Sequence, residues 1–129
     1  MTDSHFPASN RTIMVIDDER ELVAVVRTML EKKGFNVTCA YIGLELFASL
    51  KEKIPDLILL DIMMPQMDGL EVLTHFKEDP SMPFIPVILL TEKADDEDVM
   101  IGYKRGADYY LTKPFTKNQL LDGVNSILS

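Results

Sequence analysis

The sequence predicts a doubly wound α/β domain, with a five-stranded parallel sheet and five helices. Short apolar runs of strand length alternate with longer segments whose apolar residues recur at helical spacing. The runs at residues 57–60 and 87–90 are apolar throughout, which is typical of strands covered on both faces. Together, the alternation and the two apolar runs favour βαβ units that form one sheet.

The first half of the chain contains three predicted strands and two predicted helices. Runs of β-favouring residues predict strands at Thr12–Ile16 and Asn36–Ala40, and the apolar run at 57–60 predicts the third. The helix between the first two strands is expected to end at Gly34. Its apolar positions are Leu22, Val25, Val26, Met29 and Leu30. The second helix carries Leu46, Phe47 and Leu50 on one side.

The second half repeats this alternation. A third helix is expected to use Leu70, Leu73 and Phe76, and it precedes a proline-containing loop and the strand at 87–90. An acidic fourth helix is expected from about 95 to 105, ending at Gly106, before a strand at Tyr109–Thr112. The last helix opens with a capping box formed by Thr116 and Gln119.

Length and composition exclude several classes of protein. The 129 residues suit one domain, expected over 11–129 after a flexible tail at 1–10. A net charge of −8 argues against direct nucleic-acid binding.

No apolar run approaches the ~20 residues of a membrane helix, and the chain has no secretory signal, so we expect no membrane contact and a cytoplasmic location. One cysteine and two histidines are too few for a disulfide or a zinc site.

Polar residues follow four of the predicted strands. Because the carboxyl ends of parallel strands meet at one edge of a sheet, these side chains should converge there. They are Asp17, Asp18, Asp61, Thr91 and Lys113. Three crowded carboxylates favour a bound cation, and an all-oxygen site suits Mg²⁺. The sequence contains no phosphate-binding glycine loop, so the site is expected to accept a phosphoryl group on Asp61 rather than to turn over a diffusible substrate.

Four stretches then resemble the receiver domains of two-component response regulators. They are residues 14–19, 57–69, 89–91 and 106–115, in the order found in that family. The resemblance covers the chain from about Arg11 onward. It implies the flavodoxin-like fold with strand order 2-1-3-4-5, in which the ends of the first and third strands are neighbours.

The resemblance also implies a role for each site residue. Asp61 would be the phosphoacceptor, taking its phosphoryl group from a sensor histidine kinase or a histidine phosphotransfer protein. Mg²⁺ would be bound directly by Asp18 and through water by Asp17, with Asp61 and the backbone carbonyl of Met63 as further metal-binding groups. Lys113 would pair first with Asp61 and then with the phosphoryl group.

A conformational switch is implied as well. On phosphorylation the Thr91 hydroxyl would move onto a phosphoryl oxygen, and the Tyr110 ring would turn into the space vacated. The surface changed would be that of the fourth helix, fifth strand and fifth helix. The Lys113–Pro114 bond would be cis. From the residues alone, simple packing of Tyr110 is the competing interpretation, and Gly102 should weaken the fourth helix by ~1 kcal/mol relative to alanine.

Two positions depart from the family pattern. Glu92 follows the switch threonine, where a small residue is usual, and Met63 stands where many relatives have a polar residue. Our hypothesis is that Met63 and Glu92 modulate the site by hindering the attacking water, which would lengthen the lifetime of the phosphorylated state.

Two other functions compete with this interpretation. A magnesium-dependent phosphohydrolase of the haloacid-dehalogenase type would need a second acid two residues after its nucleophile, and Met63 occupies that position. A pseudo-receiver would keep the fold without being phosphorylated, and Glu92 is the feature that favours it. The downstream protein target, phosphorylation-dependent homodimerisation and membership of a longer regulator stay open.

Overall fold

A computed structural model describes residues 11–63, 69–92 and 95–128. Its five strands form one parallel sheet in the order 2-1-3-4-5, with a helix after each strand. The predicted fold class and strand order are therefore confirmed. The predicted tail at residues 1–10 lies outside the described residues.

The observed elements lie close to the predicted ones. The strands are β1 (Thr12–Ile16), β2 (Asn36–Ala40), β3 (Leu57–Asp61), β4 (Val87–Thr91) and β5 (Tyr109–Thr112). The helices are α1 (Arg20–Lys32), α2 (Gly43–Glu52), α3 (Gly69–Glu78), α4 (Asp96–Lys104) and α5 (Lys117–Leu128). β3 and β4 each run one residue further than predicted, so that Asp61 and Thr91 are the last residues of their strands. The additional pairs, Asp61 with Leu90 and Thr91 with Thr112, extend the ladder.

The sheet separates two hydrophobic clusters. α2, α3 and α4 cover one face, and α1 and α5 cover the other. Successive residues of a strand point to opposite faces, so the central strands contribute to both clusters and are buried along their whole length. This explains why β3 and β4 are apolar up to their last residues, Asp61 and Thr91.

Val25 is an exception among the apolar residues predicted for α1. Its side chain is 49% exposed, whereas Val23, Val26 and Leu30 are buried. A helix turns once every 3.6 residues, so the buried stripe at 23, 26 and 30 places Val25 on the outer side. The prediction was therefore wrong for Val25, and it did not include Val23, which packing against the sheet buries.

Local signals at the helix ends are confirmed. Gly34 and Gly106 have φ values of 96° and 113°, in a region that glycine enters without steric cost, and they follow α1 and α4. At the start of α5, the Thr116 Oγ1 accepts a hydrogen bond from the Gln119 N–H, and the Gln119 side chain accepts one from the Thr116 N–H. The Lys113–Pro114 peptide bond is cis, as the resemblance implied.

Candidate functional site

Three aspartates meet at the carboxyl edge of the sheet. Asp17 follows β1 and Asp61 ends β3, and the register that pairs Ile16 with Leu60 makes these two positions neighbours. Carboxylate oxygens of Asp17, Asp18 and Asp61 all lie within 4.8 Å of one another. Asp17 and Asp61 are buried, at 0% and 2% exposure, whereas Asp18 is exposed to solvent. The cluster is therefore buried on its sheet side and open on the other.

Lys113 reaches this cluster from the end of β5. Its Nζ lies 2.8 Å from Asp17 Oδ2, 2.5 Å from Glu19 Oε2 and 3.7 Å from Asp61 Oδ1. Burial would by itself lower the pKa of Lys113, but the contacts with Asp17 and Glu19 outweigh it and raise that pKa above its usual range. The side chain is thus a permanent cation at the site, and its shorter contacts are with Asp17 and Glu19 rather than with Asp61.

Asp61 has an unusual affinity for protons. Burial and the negative charge of Asp17 raise the pKa of Asp61 to about 7. The Met63 N–H, which donates to Asp61 Oδ1 over 3.0 Å, and the charge of Lys113 oppose this increase. One lysine therefore does not offset the crowding of the carboxylates, and the cluster favours additional positive charge.

The donor set fits a hard divalent cation. Carboxylate oxygens are the ligands that Mg²⁺ prefers, and a site open on one side leaves room for the water that this ion retains. Within the described part of the chain, Asp17 Oδ2 is buried and receives no hydrogen bond of acceptable geometry; its contact is the ion pair with Lys113. A buried carboxylate oxygen of this kind is a good ligand for a cation, so the residues present fit Mg²⁺.

Thr91 and Tyr110 lie in contact with each other. Thr91 is completely buried at the end of β4, and its side chain forms a hydrogen bond with the Tyr110 hydroxyl. Burial raises the pKa of Tyr110, and this hydrogen bond opposes the increase. The Tyr110 ring is half-buried against the cluster that α3 and α4 cover, and the Tyr103 ring lies 6.5 Å away. A displacement of Thr91 would therefore reach Tyr110 directly.

An open pocket of about 190 Å³ leads to Asp61. Its lining residues are Asp18, Glu19, Asp61, Met63, Glu92 and Lys113. Both residues that depart from the family pattern, Met63 and Glu92, therefore line the pocket through which a phosphodonor or a water molecule would approach. Met63 is 55% exposed, so its side chain lies at the mouth of the pocket and not in the core.

Glu19 is the site residue to which the sequence analysis assigned no role. Its carboxylate contacts Lys113, and its backbone N–H donates to Asp17 Oδ1 over 2.9 Å. Its position directly after two aspartates at a strand end was the available signal. Nothing in the sequence, however, distinguished it from an ordinary acidic residue before a helix.

Comparisons with known proteins agree with this geometry. The family model described as the response regulator receiver domain matches residues 13–125. The chain is 37% identical over 119 residues to the alkaline phosphatase synthesis transcriptional regulatory protein PhoP of Bacillus subtilis (strain 168). That alignment covers 92% of this chain and 49% of PhoP. The chain thus spans about half the length of this curated relative.

Solved structures with the same fold include three from different organisms. The receiver domain of the Francisella response regulator 1452 is 32% identical, with a TM-score of 0.85 over 92% of this chain and 96% of that one. The receiver domain of a signal transduction histidine kinase from Syntrophus aciditrophicus is 33% identical, with a TM-score of 0.83 over 92% and 89%. A CheY-like receiver domain protein from Methanospirillum hungatei JF-1 is 29% identical, with a TM-score of 0.79 over 90% and 91%.

The described residues include no helix that is both long and apolar enough to cross a membrane. The resemblance that the four sequence stretches carried is confirmed by the family match, the curated relative and the solved structures. This chain belongs to the response regulator receiver domain family.

Proposed function

We propose that this protein is a phosphorylation-dependent switch in which Asp61 accepts a phosphoryl group from a histidine kinase or a histidine phosphotransfer protein. The observation that carries the proposal is the cluster of three aspartates beside Lys113, in which Asp61 borders the open pocket. Receiver domains as a family are signalling modules that histidine kinases phosphorylate. A cytoplasmic location stays a prediction from the sequence.

The proposed reaction moves one phosphoryl group between two side chains. An Asp61 carboxylate oxygen attacks the phosphorus atom of phosphohistidine, the P–N bond breaks, and the imidazole leaves with its electron pair and takes up a proton. The product is an acyl phosphate on Asp61. The ammonium group of Lys113, 3.7 Å from Asp61 Oδ1, is close enough to move onto a phosphoryl oxygen and offset its charge.

Mg²⁺ is the cofactor that we propose for this site. Asp17, Asp18 and Asp61 would hold it, with the backbone carbonyl of Met63 as a further ligand. When bound, Mg²⁺ supplies positive charge that offsets the phosphoryl oxygens and the crowded carboxylates. The raised pKa of Asp61 supports this assignment, because a carboxylate that resists ionisation in the protein alone becomes a better ligand and nucleophile once that charge is offset.

We further propose that the signal leaves through the face formed by α4, β5 and α5. The hydrogen bond between Thr91 and Tyr110 connects the site to β5. An open pocket of about 370 Å³ on this face is lined partly by Tyr109, Tyr110 and Asp122. Met100 on α4 is 57% exposed, which provides apolar surface for a protein partner. Homodimerisation through this face is one possible output, and a separate target protein is another.

A pseudo-receiver is the second candidate function. The position of Glu92 in the lining of the site pocket favours it, because a carboxylate there repels an incoming phosphoryl group. The same repulsion would act on an attacking water in its anionic transition state. Both hypotheses, the modulator role of Glu92 and the pseudo-receiver, therefore rest on the position of Glu92 in the pocket lining. They differ in whether Asp61 is phosphorylated at all.

Intact mass spectrometry after incubation with acetyl phosphate and Mg²⁺ tests the proposal. The wild type is expected to gain one phosphoryl mass, Asp61→Asn none, and Asp122→Asn, an exposed carboxylate on α5, the same as the wild type. The gain should disappear when EDTA replaces Mg²⁺. A wild type that stays unmodified, with acetyl phosphate and with a panel of phosphorylated histidine kinases, would instead support the pseudo-receiver.

A further inference from the structure

Glu19 and Lys113 form an ion pair across the mouth of the site. Glu19 lies between β1 and α1, and its side chain is 56% exposed, whereas that of Lys113 is 9% exposed. The pair therefore joins a solvent-facing carboxylate to a nearly buried ammonium group. Both residues line the pocket that leads to Asp61.

The three distances from Lys113 differ in an informative way. Its Nζ is within hydrogen-bonding distance of Asp17 and Glu19, at 2.8 and 2.5 Å, but lies 3.7 Å from Asp61 Oδ1. Asp61 Oδ1 accepts its hydrogen bond from the Met63 N–H instead. An ammonium group has three protons, so Lys113 has a donor left for a third short contact, yet its distance to Asp61 stays at 3.7 Å.

The Glu19 carboxylate has no competing structural role at the start of α1. Glu19 is the N-cap residue, the position from which a side chain usually accepts a hydrogen bond from the first turn. Within the described first turn of α1, its side chain accepts no such bond, and the acidic residue in that turn is Glu21. The contact with Lys113 is thus what the structure provides for this carboxylate.

We propose that Glu19 is a positioning residue that holds Lys113 away from Asp61 until a phosphoryl group arrives. The inference rests on the proposed function of Asp61 as the phosphoacceptor. Without the charge of Glu19, Lys113 keeps two carboxyl partners, Asp17 and Asp61, and moves towards the second. It then competes with Mg²⁺ for both carboxyl groups and takes up an oxygen of the proposed phosphoacceptor.

The first test needs no metal. In EDTA, the backbone amide resonance of Met63 reports on Asp61 Oδ1, its hydrogen-bond acceptor. Glu19→Gln is expected to shift this resonance, and Glu21→Gln, which removes the same charge two residues away, is expected to leave it in place. The shift should be lost when Lys113→Met is combined with Glu19→Gln. An unchanged Met63 resonance in Glu19→Gln would overturn the proposal.

The second test is a double-mutant cycle on Mg²⁺ affinity, measured by titration calorimetry. Glu19→Gln is expected to raise the Kd for Mg²⁺ about five- to tenfold, which corresponds to about 1.0–1.4 kcal/mol. In the Lys113→Met background, Glu19→Gln should raise the Kd for Mg²⁺ less than about twofold. Glu21→Gln in the otherwise wild-type protein should also raise this Kd less than about twofold. Equal factors in both backgrounds would show that Glu19 acts through charge alone, and would overturn the proposal.

These results separate the inference from the proposed function. If acetyl phosphate fails to modify the wild type, the phosphoacceptor proposal fails, while the Met63 resonance still decides whether Glu19 positions Lys113. If the wild type is modified, but Glu19→Gln changes neither the Met63 resonance nor the Kd for Mg²⁺, the proposed role of Glu19 is wrong and the phosphoacceptor proposal stands.

Discussion

The ring of Tyr110 lies against Gly102, at a point where α4 has no side chain. A Cβ atom at Gly102 would be 3.2 Å from Cδ2 and Cε2 of Tyr110 and 2.9 Å from Cδ1 of Leu89. The neighbouring tyrosine repeats this arrangement on the other face, where a Cβ at Gly123 of α5 would be 3.0 Å from the Tyr109 ring. Two adjacent aromatic residues of β5 thus each occupy space that a helix glycine leaves free.

Gly102→Ala is expected to destabilise the protein although alanine is the better helix former. The gain of ~1 kcal/mol in helix propensity opposes an overpacking cost of about 1–3 kcal/mol against Leu89 and Tyr110. We expect a net loss of about 1 kcal/mol in the free energy of unfolding, measured by urea denaturation. In a Tyr110→Ala background the loss should shrink. A stabilised Gly102→Ala variant would contradict the close contact.

The contribution of Asp61 to the stability of the metal-free protein should fall as the pH rises from about 4 to 7. The folded state keeps a proton on Asp61 up to a pKa of about 7, whereas the unfolded chain releases it near 3.8. Over that interval the folded state binds more protons, so raising the pH favours unfolding. Asp61→Asn should therefore stabilise the protein by on the order of 3 kcal/mol at pH 8 and by little at pH 4.

Urea denaturation in EDTA at both pH values measures this difference. Asp122→Asn, which changes an exposed carboxylate of α5 in the same way, is the control variant. The pKa assigned to Asp61 would be wrong if Asp61→Asn changed the unfolding free energy equally at pH 4 and pH 8.

Mg²⁺ should stabilise the folded protein through the aspartate cluster. An ion that binds only the folded state raises the free energy of unfolding by about 2.7 kcal/mol at a hundred times its Kd. Asp18→Asn removes the exposed ligand of the cluster and should reduce this gain without disturbing buried packing. Thermal unfolding with Mg²⁺ or EDTA gives both values. A gain that persists fully in Asp18→Asn would place the ion elsewhere.

Met63→Asn and Glu92→Ala should each accelerate loss of the phosphoryl group. Met63 is an apolar obstacle at the pocket mouth, and Glu92 places a negative charge in its lining. We expect roughly three- to tenfold faster dephosphorylation, or about 0.7–1.4 kcal/mol less barrier. Intact mass spectrometry after removal of acetyl phosphate measures the rate. Met100→Asn and Glu97→Ala, both on α4, are matched controls, and unchanged rates in both site variants would refute the modulator hypothesis.

Asp108 should contribute more to stability than an exposed charged residue does. Its Oδ2 accepts a hydrogen bond from the Val87 N–H over 2.8 Å and lies 3.3 Å from Lys77 Nζ. Asp108→Ala leaves the Val87 N–H without its acceptor and removes the anionic partner of Lys77, whose Nζ then keeps the hydrogen bond to the Ile85 carbonyl over 3.0 Å. In this partly buried setting we expect a loss of about 1–3 kcal/mol in urea denaturation. Glu31→Ala, which removes a half-exposed ion pair with Arg27, should cost at most about 0.5 kcal/mol. Equal losses would contradict this distinction.

Most of the fold could be predicted because its local signals agree with its packing. β1, β2 and β5 have their predicted bounds. β1 and β5 are short runs bounded by charged residues on both sides, whereas β2 is flanked by Phe35 and Tyr41. The α1 stripe was predicted with one wrong member, because Val25 fits the helical spacing but contact with the sheet buries Val23 instead. Local pattern determines which elements form, and tertiary packing determines which faces are buried.

The site, like the fold, has features that the sequence predicts and contacts that only the structure shows. The predicted convergence at the strand ends follows from parallel topology, and the structure brings Asp17, Asp18, Asp61 and Lys113 together. The closest carboxylate to Lys113 is decided by the distances from its Nζ to Asp17, Glu19 and Asp61, all below 4 Å. The spacing of these residues in the sequence does not determine those distances. The contact between Glu19 and Lys113 was therefore visible only in the structure.

The arrangement of tyrosines has a practical consequence for spectroscopy. The chain has no tryptophan and four tyrosines, so its near-ultraviolet emission comes from phenol rings. Three of the four, Tyr103, Tyr109 and Tyr110, belong to α4 and β5. Intrinsic fluorescence of the unlabelled protein should thus report mainly on the surface of α4 and β5, and its time course after mixing with a phosphodonor would test the proposed rearrangement of that surface.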